Sequence, residues 1–306
     1  MSARLETARR RRFRPVLPVD LRLTLGPLQR AGRWDPSVRV SNRETWRATR
    51  NPDGLATVRY IADGDEIEVE AWGPGAELEL ERAPRVLGAG DSLEGFVPHH
   101  AVVAQLHHRF AGLRIGRTEA VFEALVPTVF EQKVIGAEAR SGYGRMIRAL
   151  GDPAPGLAGM TSPPGAARLA RTPYFEFHPF AIERRRAETL IGAARRASWL
   201  EACAELPPAE AQARMLALHG VGPWSAAEVA MVALGDADAV SVGDYHLPNV
   251  VAWALTGNPR GDDAMMLELL EPYRGHRGRV IRLLAAGGVG PPRRGPRLAL
   301  RRMELG

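Results

Sequence analysis

Two glycines one residue apart, followed by a lone carboxylate, constrain this sequence more than any other feature. Residues 218–249 read LHGVGPWSAAEVAMVALGDADAVSVGDYHLPN, and the only GDY triplet places Asp244 twenty-two residues after Gly222. A tight connection between helices needs a residue with positive φ, which glycine adopts at little steric cost. A corner without side chains also lets a phosphate reach the backbone N–H groups that open the next helix. Two interpretations of the corner alone are open: a phosphate-binding hairpin, or a helix C-cap followed by a proline-initiated helix without a ligand.

The carboxylate of Asp244 lies just before a second predicted helix, HLPNVVAWALTG. A helix from Trp224 to about Leu234 carries the chain about 15 Å, and the loop that follows is long enough to bring it partly back. Aspartate is a common N-cap residue, so capping is one role for this side chain. A catalytic carboxylate is a second role, and the two roles are compatible.

The length and composition bound the class of protein. A chain of 306 residues is long for one core, so two domains are expected. With 45% apolar and 25% charged residues, the composition is that of a soluble globular protein. Cys203 is the only cysteine, which excludes a disulfide and any cysteine-ligated zinc or iron–sulfur site. We expect no metal and no cofactor, and the lack of a secretory signal predicts a cytoplasmic, nucleoid-associated protein.

The positive charge is concentrated at the two ends of the chain. Residues 1–14 hold six Arg and one Glu, and residues 287–306 hold five Arg and one Glu, although the whole chain has a net charge of only +6. The two ends either contact a polyanion nonspecifically or are simply solvated, and we expect both to be disordered when no partner is bound. Net charge is therefore weak evidence for a nucleic-acid partner.

The patterning changes from strand-like to helical near residue 95. ATVRYI and EIEVEAW alternate apolar and charged side chains around the turn ADGD, which predicts a hairpin. From residue 118 onward, apolar residues recur at intervals of three and four. Pro127 predicts a kink or a break in the first of these helices. We predict a basic tail at 1–14, a β-containing domain at 15–95, a helical domain at 96–286 and a second basic tail at 287–306.

The paired glycines and the aspartate together resemble a known family signature. LHGVGPWSA followed by SVGDY is similar to the hairpin, Gly/Pro-rich loop and aspartate of the helix-hairpin-helix (HhH-GPD) DNA glycosylase superfamily, in particular its bacterial 3-methyladenine DNA glycosylase II (AlkA-type) branch. FEALVPTVFEQKV resembles the family helix that ends in glutamine, and EPYRGHRGRVIRLL resembles its closing helix. The resemblance implies an α+β fold, with a small mixed β N-terminal domain followed by an all-helical glycosylase region.

The resemblance also implies a chemistry and a set of site residues. A base is flipped out of the duplex, and Asp244 stabilises the positive charge that develops on the sugar. Trp224 stands where strand-cleaving relatives carry a catalytic lysine, which implies a monofunctional enzyme. The resemblance places Gln132 and Lys133 where a side chain enters the minor groove and fills the gap left by the flipped base. Relatives often use an apolar or amide side chain there, so lysine is a departure. The alternative for Lys133 is a solvated residue at a helix end. The implied DNA-binding residues are His219, Gly220, Val221, Gly222, Ser225, Gln132 and Lys133.

The base pocket that the resemblance implies contains Trp224, Tyr273, Tyr245 and Glu228. Aromatic faces suit a cationic alkylated purine, although each ring is also consistent with ordinary core packing. Glu228 departs from the aromatic residue of the AlkA-type branch and is either a hydrogen-bonding partner for the base or a solvated side chain. His246 is either a surface histidine or a partner of Asp244.

We therefore predict a monomeric, monofunctional DNA glycosylase for damaged bases, alkylated purines in particular, with lesion-containing double-stranded DNA as its partner and no membrane. A glycosylase for another class of lesion and a noncatalytic helix-hairpin-helix DNA-binding protein are the alternatives. Arg277 and Arg279 are expected to add basic contacts to the DNA.

Overall fold

The N-terminal part of the chain is an antiparallel sheet with a helix packed against one face. The computed structural model describes residues 7–156 and 159–292. The strands run β1 Arg9–Phe13, β2 Val38–Val40, β3 Glu44–Asn51, β4 Gly54–Asp63 and β5 Glu66–Trp72, and their order in the sheet is β1-β5-β4-β3-β2. Helix α1 (Leu21–Leu25) precedes β2, and helix α2 (Ala76–Val86) follows β5.

The predicted hairpin is confirmed as β4 and β5. The two strands pair antiparallel from Thr57 opposite Trp72 to Asp63 opposite Glu66. Ile67 and Val69 on β5 are buried with Leu80 of α2 in one apolar cluster. Period-two alternation thus buries one face of the hairpin, as expected for a sheet covered on one side.

The N-terminal basic segment differs from its expected disorder. Residues 9–13 form β1, an edge strand that pairs with β5. Arg12 forms ion pairs with Glu68 of β5, and Arg10 forms one with Glu70. Opposite charges on neighbouring strands stabilise a pairing that a solvated tail would lack, so the expectation of a disordered tail is wrong for residues 9–13. Residues 1–6 and 293–306 of the two basic segments lie outside the described residues.

The rest of the described chain is helical apart from a two-stranded ribbon, β6 (Asp152–Pro153) with β7 (Thr161–Ser162). No strand occurs between residues 180 and 280, all of which are described, so the predicted α+β class is confirmed. The helices are α3 Ala101–Arg109, α4 Val121–Glu131, α5 Gly136–Leu150, α6 Ala166–Arg171, α7 Arg184–Arg195, α8 Ala197–Glu201, α9 Pro208–Met215, α10 Pro223–Val229, α11 Leu247–Thr256, α12 Asp263–Leu270 and α13 Arg277–Ala286.

Two helical cores position the glycine corner and the aspartate. One contains the predicted apolar stripe of α4, including Leu125 and Phe130, with side chains from α5, α7, α9 and α10. The other joins α3 to α11, α12 and α13. Helix α4 continues through Pro127, and α10 continues as one π-helical turn, Ala230–Leu234. Asp244 lies in the loop that leads from α10 and its π-helical turn in the first core to α11 in the second core.

No helix in residues 7–156 and 159–292 has both the length and the apolar character of a membrane span.

Candidate functional site

The glycine corner joins α9 to α10, and its two glycines have different requirements. Gly220 has φ +82°, and an added Cβ would lie 2.0 Å from Oγ1 of Thr189 on α7. Both the backbone conformation and the packing therefore require glycine at position 220. An added Cβ on Gly222 would meet no atom within 4 Å. Packing within the described protein thus leaves open space at Gly222.

Gln132 holds this corner in place from the end of α4. Its Nε2 donates hydrogen bonds to the carbonyl oxygen of Gly220 at 2.8 Å and to Oγ of Ser225 at 3.0 Å. Val221 and Ser225 are buried, whereas His219 is exposed. The structure therefore brings Gln132 and the corner together, with the inward-facing residues of the corner serving its internal packing.

Lys133 follows directly and has an unusual backbone conformation. Its φ is +55°, in the left-handed region that non-glycine residues seldom adopt. The side chain is exposed, and Lys133 is the only lysine in the chain. Such a conformation costs about 1–3 kcal/mol and is common at functional sites.

The two oxygens of the Asp244 carboxylate have different partners. Oδ1 accepts hydrogen bonds from the backbone N–H groups of His246 and Leu247, each at 2.8 Å. Oδ2 accepts a hydrogen bond from Nε1 of Trp224 at 3.0 Å. On the other side of the loop, Asp263 accepts the N–H of Gly243. The carboxylate is half-buried and held from both its loop and α10.

Glu228 lies one helical turn beyond Trp224 and takes part in a partly buried charge network. Its Oε1 accepts a hydrogen bond from Oγ of Ser241 at 2.6 Å, and its Oε2 lies 3.6 Å from Nη1 of Arg30. Arg30 also forms an ion pair with Glu131. Burial lowers the pKa of Arg30, but the two glutamates outweigh it and raise that pKa above its ordinary value. For Glu131, burial disfavours the charged carboxylate and is the main cause of its raised pKa.

The aromatic residues proposed for the pocket are not gathered into one slot. Tyr273 is 2% exposed, and its hydroxyl accepts a hydrogen bond from the N–H of His100 at 3.0 Å. Tyr245 is 86% exposed, and its ring packs edge-on against that of His246. His246 is exposed too, and its backbone N–H, not its ring, contacts Asp244. Of the predicted aromatic residues, Trp224 is the one that touches the carboxylate.

The two arginines expected to contact DNA near the closing helix are engaged elsewhere. Arg279 is 1% exposed and forms an ion pair with Asp91, whose side chain is equally buried. The expectation of a DNA contact is wrong for Arg279, because its charge neutralises a carboxylate from the segment before α3. Arg277 pairs with Asp238 at 2.5 Å, in a partly buried position.

Sequence reasoning missed the partners that organise the site. Arg30 and Asp263 belong to no recognisable motif, and Ser241 opens the SVGDY signature without a role assigned to it; each contacts a residue on another element. Glu131 had one available signal, its position next to Gln132. Within the described residues, no group of three or more His, Cys, Asp or Glu side chains could hold a metal ion.

Comparison with solved structures shows which proteins share this architecture. The 3-methyladenine DNA-glycosylase from Archaeoglobus fulgidus is 19% identical, with a TM-score of 0.74 over 91% of this chain and 98% of that one. The 8-oxoguanine glycosylase/lyase of Clostridium acetobutylicum in its apo-form is 14% identical, with a TM-score of 0.69 over 93% of this chain and 99% of that one. The same enzyme in complex with double-stranded DNA is 13% identical, with a TM-score of 0.68 over 93% and 99% of the two chains.

No protein-family model and no curated protein matches the sequence. The structural likeness covers the N-terminal sheet as well as the helices. At these identities it establishes the architecture, and this chain therefore has the α+β fold of the solved DNA glycosylases.

Proposed function

We propose that this protein is a monofunctional DNA glycosylase that hydrolyses the N-glycosidic bond of a damaged purine in double-stranded DNA, alkylated purines among its substrates. The observation that carries the proposal is the Trp224–Asp244 hydrogen bond of 3.0 Å, which fixes a half-buried carboxylate to the helix that begins at the glycine corner. The DNA glycosylase fold around it supports the same conclusion.

We assign binding of the DNA strand to the glycine corner. Gly222 has open space where a side chain would stand, although its φ of −107° is one that any residue adopts. A phosphate that binds the backbone N–H groups at the start of α10 needs the space that glycine leaves at this position. Lys133, exposed beside Gln132, is the residue we assign to the gap left by the flipped nucleotide.

The reaction that we assign to Asp244 is a hydrolysis. As the C1′–N bond breaks, its electron pair leaves with the base and positive charge develops on the sugar. The carboxylate stabilises that charge and orients a water that attacks C1′ and releases its proton to the carboxylate. Trp224 has no amine to form a covalent bond with C1′, and the only lysine, Lys133, lies at the end of α4. The product is therefore an abasic site in an intact strand.

A noncatalytic DNA-binding protein is the second candidate, favoured only by the corner itself. A phosphate clamp has no use for a carboxylate that is held by an indole near the bound strand, because its charge repels phosphate. Asp244 therefore favours the enzyme.

The test is incubation of the protein with duplexes that each carry one lesion, followed by alkali. We expect alkali-dependent strand breaks at one or more purine lesions and no breaks without alkali. Binding to the duplexes without breaks at any lesion would support the noncatalytic alternative instead. Breaks without alkali would contradict the monofunctional assignment.

A further inference from the structure

We propose that Arg30 and Glu228 form a donor–acceptor pair that reads the N1/C6 edge of the flipped purine. The pair then selects lesions whose edge keeps both an N–H donor and an acceptor, and it rejects lesions in which a fused ring removes the donor. This inference rests on the proposed function and names the substrate class of the same site.

Glu228 is held by the same helix and loop as the proposed catalytic carboxylate. Glu228 follows Trp224 by four residues on α10, which places the two side chains on the same face, about 5–6 Å apart at Cβ. Trp224 contacts Asp244, and Glu228 contacts Ser241 in the same loop. In the proposed complex, we place the base of a nucleotide whose sugar lies beside Asp244 against Glu228. Arg30 and Glu228 line one cleft together with Pro127 and Tyr143, and their side chains are 17% and 26% exposed.

The hydrogen-bonding capacity of the pair is not used up within the described protein. Oε1 of Glu228 is occupied by Ser241, but Oε2 lies 3.6 Å from Nη1 of Arg30, too far for a good hydrogen bond. The hydrogen bond of this guanidinium among the described residues goes from Nη2 to Glu131. Nη1 and Oε2 therefore face each other in a partly exposed position, where each keeps capacity for a polar ligand placed between them.

The charges of the network favour hydrogen bonding over recognition of a cation. Arg30 is shared between Glu131 and Glu228. Arg282 adds a second guanidinium, whose electrostatic contact with Glu228 opposes the burial that lowers the pKa of Arg282 to about 10. Two carboxylates face two guanidiniums, so no excess negative charge remains to attract a positively charged base.

A purine edge offers the complementary groups. Hypoxanthine presents a C6 carbonyl acceptor next to an N1–H donor, and an adenine-type base presents an N6–H donor next to an N1 acceptor. Either order matches one guanidinium N–H and one carboxylate oxygen. Ethenoadenine has N1 and N6 tied into a fused ring, so that edge has no N–H donor and leaves Oε2 of Glu228 without a partner. A site built to hydrogen-bond its ligand discriminates strongly against an analogue that lacks the matching group.

Arg30 belongs to the segment between α1 and β2, so the N-terminal part of the chain supplies half of the pair. Its neighbour Gln29 donates a hydrogen bond to the carbonyl oxygen of Val38 at 3.1 Å, and Glu131 holds the guanidinium itself. The donor is thus fixed relative to α4 and α10 before a base arrives, which lowers the entropy cost of binding.

The test compares single-turnover excision of hypoxanthine and ethenoadenine from otherwise identical duplexes. We expect wild type to prefer hypoxanthine by at least about tenfold. Glu228→Gln keeps the side-chain shape and the bond from Ser241 but replaces Oε2 with a donor. This variant should lose most of its hypoxanthine rate while the residual ethenoadenine rate changes little, so that the preference collapses.

Glu77→Gln is the matched control, since it makes the same chemical change in an exposed pair with Arg9 of β1. It should leave both rates and the preference as they are, with thermal unfolding and duplex binding measured for both variants to exclude misfolding. Equal excision of the two lesions by wild type, or a preference that survives Glu228→Gln, would overturn the pair's role while leaving the glycosylase in place. Excision of other purine lesions but not hypoxanthine would overturn it too. No excision of any lesion would overturn the proposed function itself.

Discussion

Nε1 of Trp224 donates a hydrogen bond of 3.0 Å to Oδ2 of Asp244. The bond joins the helix that starts at the glycine corner to the carboxylate twenty-two residues further along the chain. The indole of Trp224 thus orients the proposed catalytic oxygen. Because Oδ1 is engaged by the backbone of α11, both oxygens of the carboxylate have fixed directions.

Trp224→Phe should separate the orienting role of the indole from its bulk. Phenylalanine keeps an aromatic ring but has no N–H donor, so Oδ2 loses its hydrogen bond. Hydrogen bonds to charged groups contribute about 1.5–3 kcal/mol, and we expect single-turnover excision to fall by about 10- to 100-fold with duplex affinity nearly unchanged. Trp199→Phe is the control, because Trp199 lies on α8 and packs against the guanidinium of Arg214 on α9. It should leave excision intact. Equal rates for wild type and Trp224→Phe would show that the bond does not orient the reaction.

Arg185 should contribute to duplex binding from the edge of the glycine corner. Thr189 of α7 packs against Gly220, and Arg185 lies one turn earlier on that face and is exposed. Its neighbours Arg184 and Arg186 are paired with Glu188 and Glu183, whereas Arg185 has no carboxylate partner among the described residues.

Arg185→Gln should therefore weaken binding to every duplex and reduce the slope of log K against log salt by about 0.9. Excision at saturating protein should not change. Arg195→Gln, at the exposed far end of the same helix, is the matched control and should leave the slope as it is. Identical slopes for the two variants would remove Arg185 from the DNA-binding surface.

Arg279 should prove essential for stability and irrelevant to direct DNA contact. Its replacement by Met leaves Asp91 buried without its partner, and breaking a buried pair on one side costs about 3–5 kcal/mol. Urea unfolding should show that loss for Arg279→Met. Arg277→Gln breaks a pair that water still reaches, with side chains 22% and 27% exposed, and should cost less, about 1 kcal/mol. Similar stabilities of the two variants would contradict the burial argument.

The elements with strong local signals could be predicted from the sequence. The β4–β5 hairpin, the stripe of α4 and the glycine corner each depend on periodicity or on a backbone conformation that one residue type supplies. The pairing of β1 with β5 could not be read in this way, because a run of arginines becomes a strand only when glutamates lie opposite.

The candidate site was predictable only where a motif carried it. Asp244, Trp224 and Gln132 belong to such motifs, and the structure connects each of them to the corner or to the loop after α10. Arg30 reaches Glu228 across almost two hundred residues of sequence, and that contact exists only in the folded chain. Tyr273 also belongs to a motif, EPYRGHRGRVIRLL, but its side chain is buried in the core formed by α3, α11, α12 and α13. The motif alone did not reveal that burial.

Asp244→Asn tests the central claim most directly. The substitution keeps the shape of the side chain and the Oδ1 acceptor for the backbone N–H groups of His246 and Leu247, but it removes the negative charge. Folding and duplex affinity should survive, and affinity should rise slightly as repulsion from phosphate is relieved. Single-turnover excision from a lesion-containing duplex, measured beside binding for wild type and Asp244→Asn, should fall by about 10²–10³-fold. Unchanged excision by Asp244→Asn would contradict the assignment of this carboxylate to catalysis.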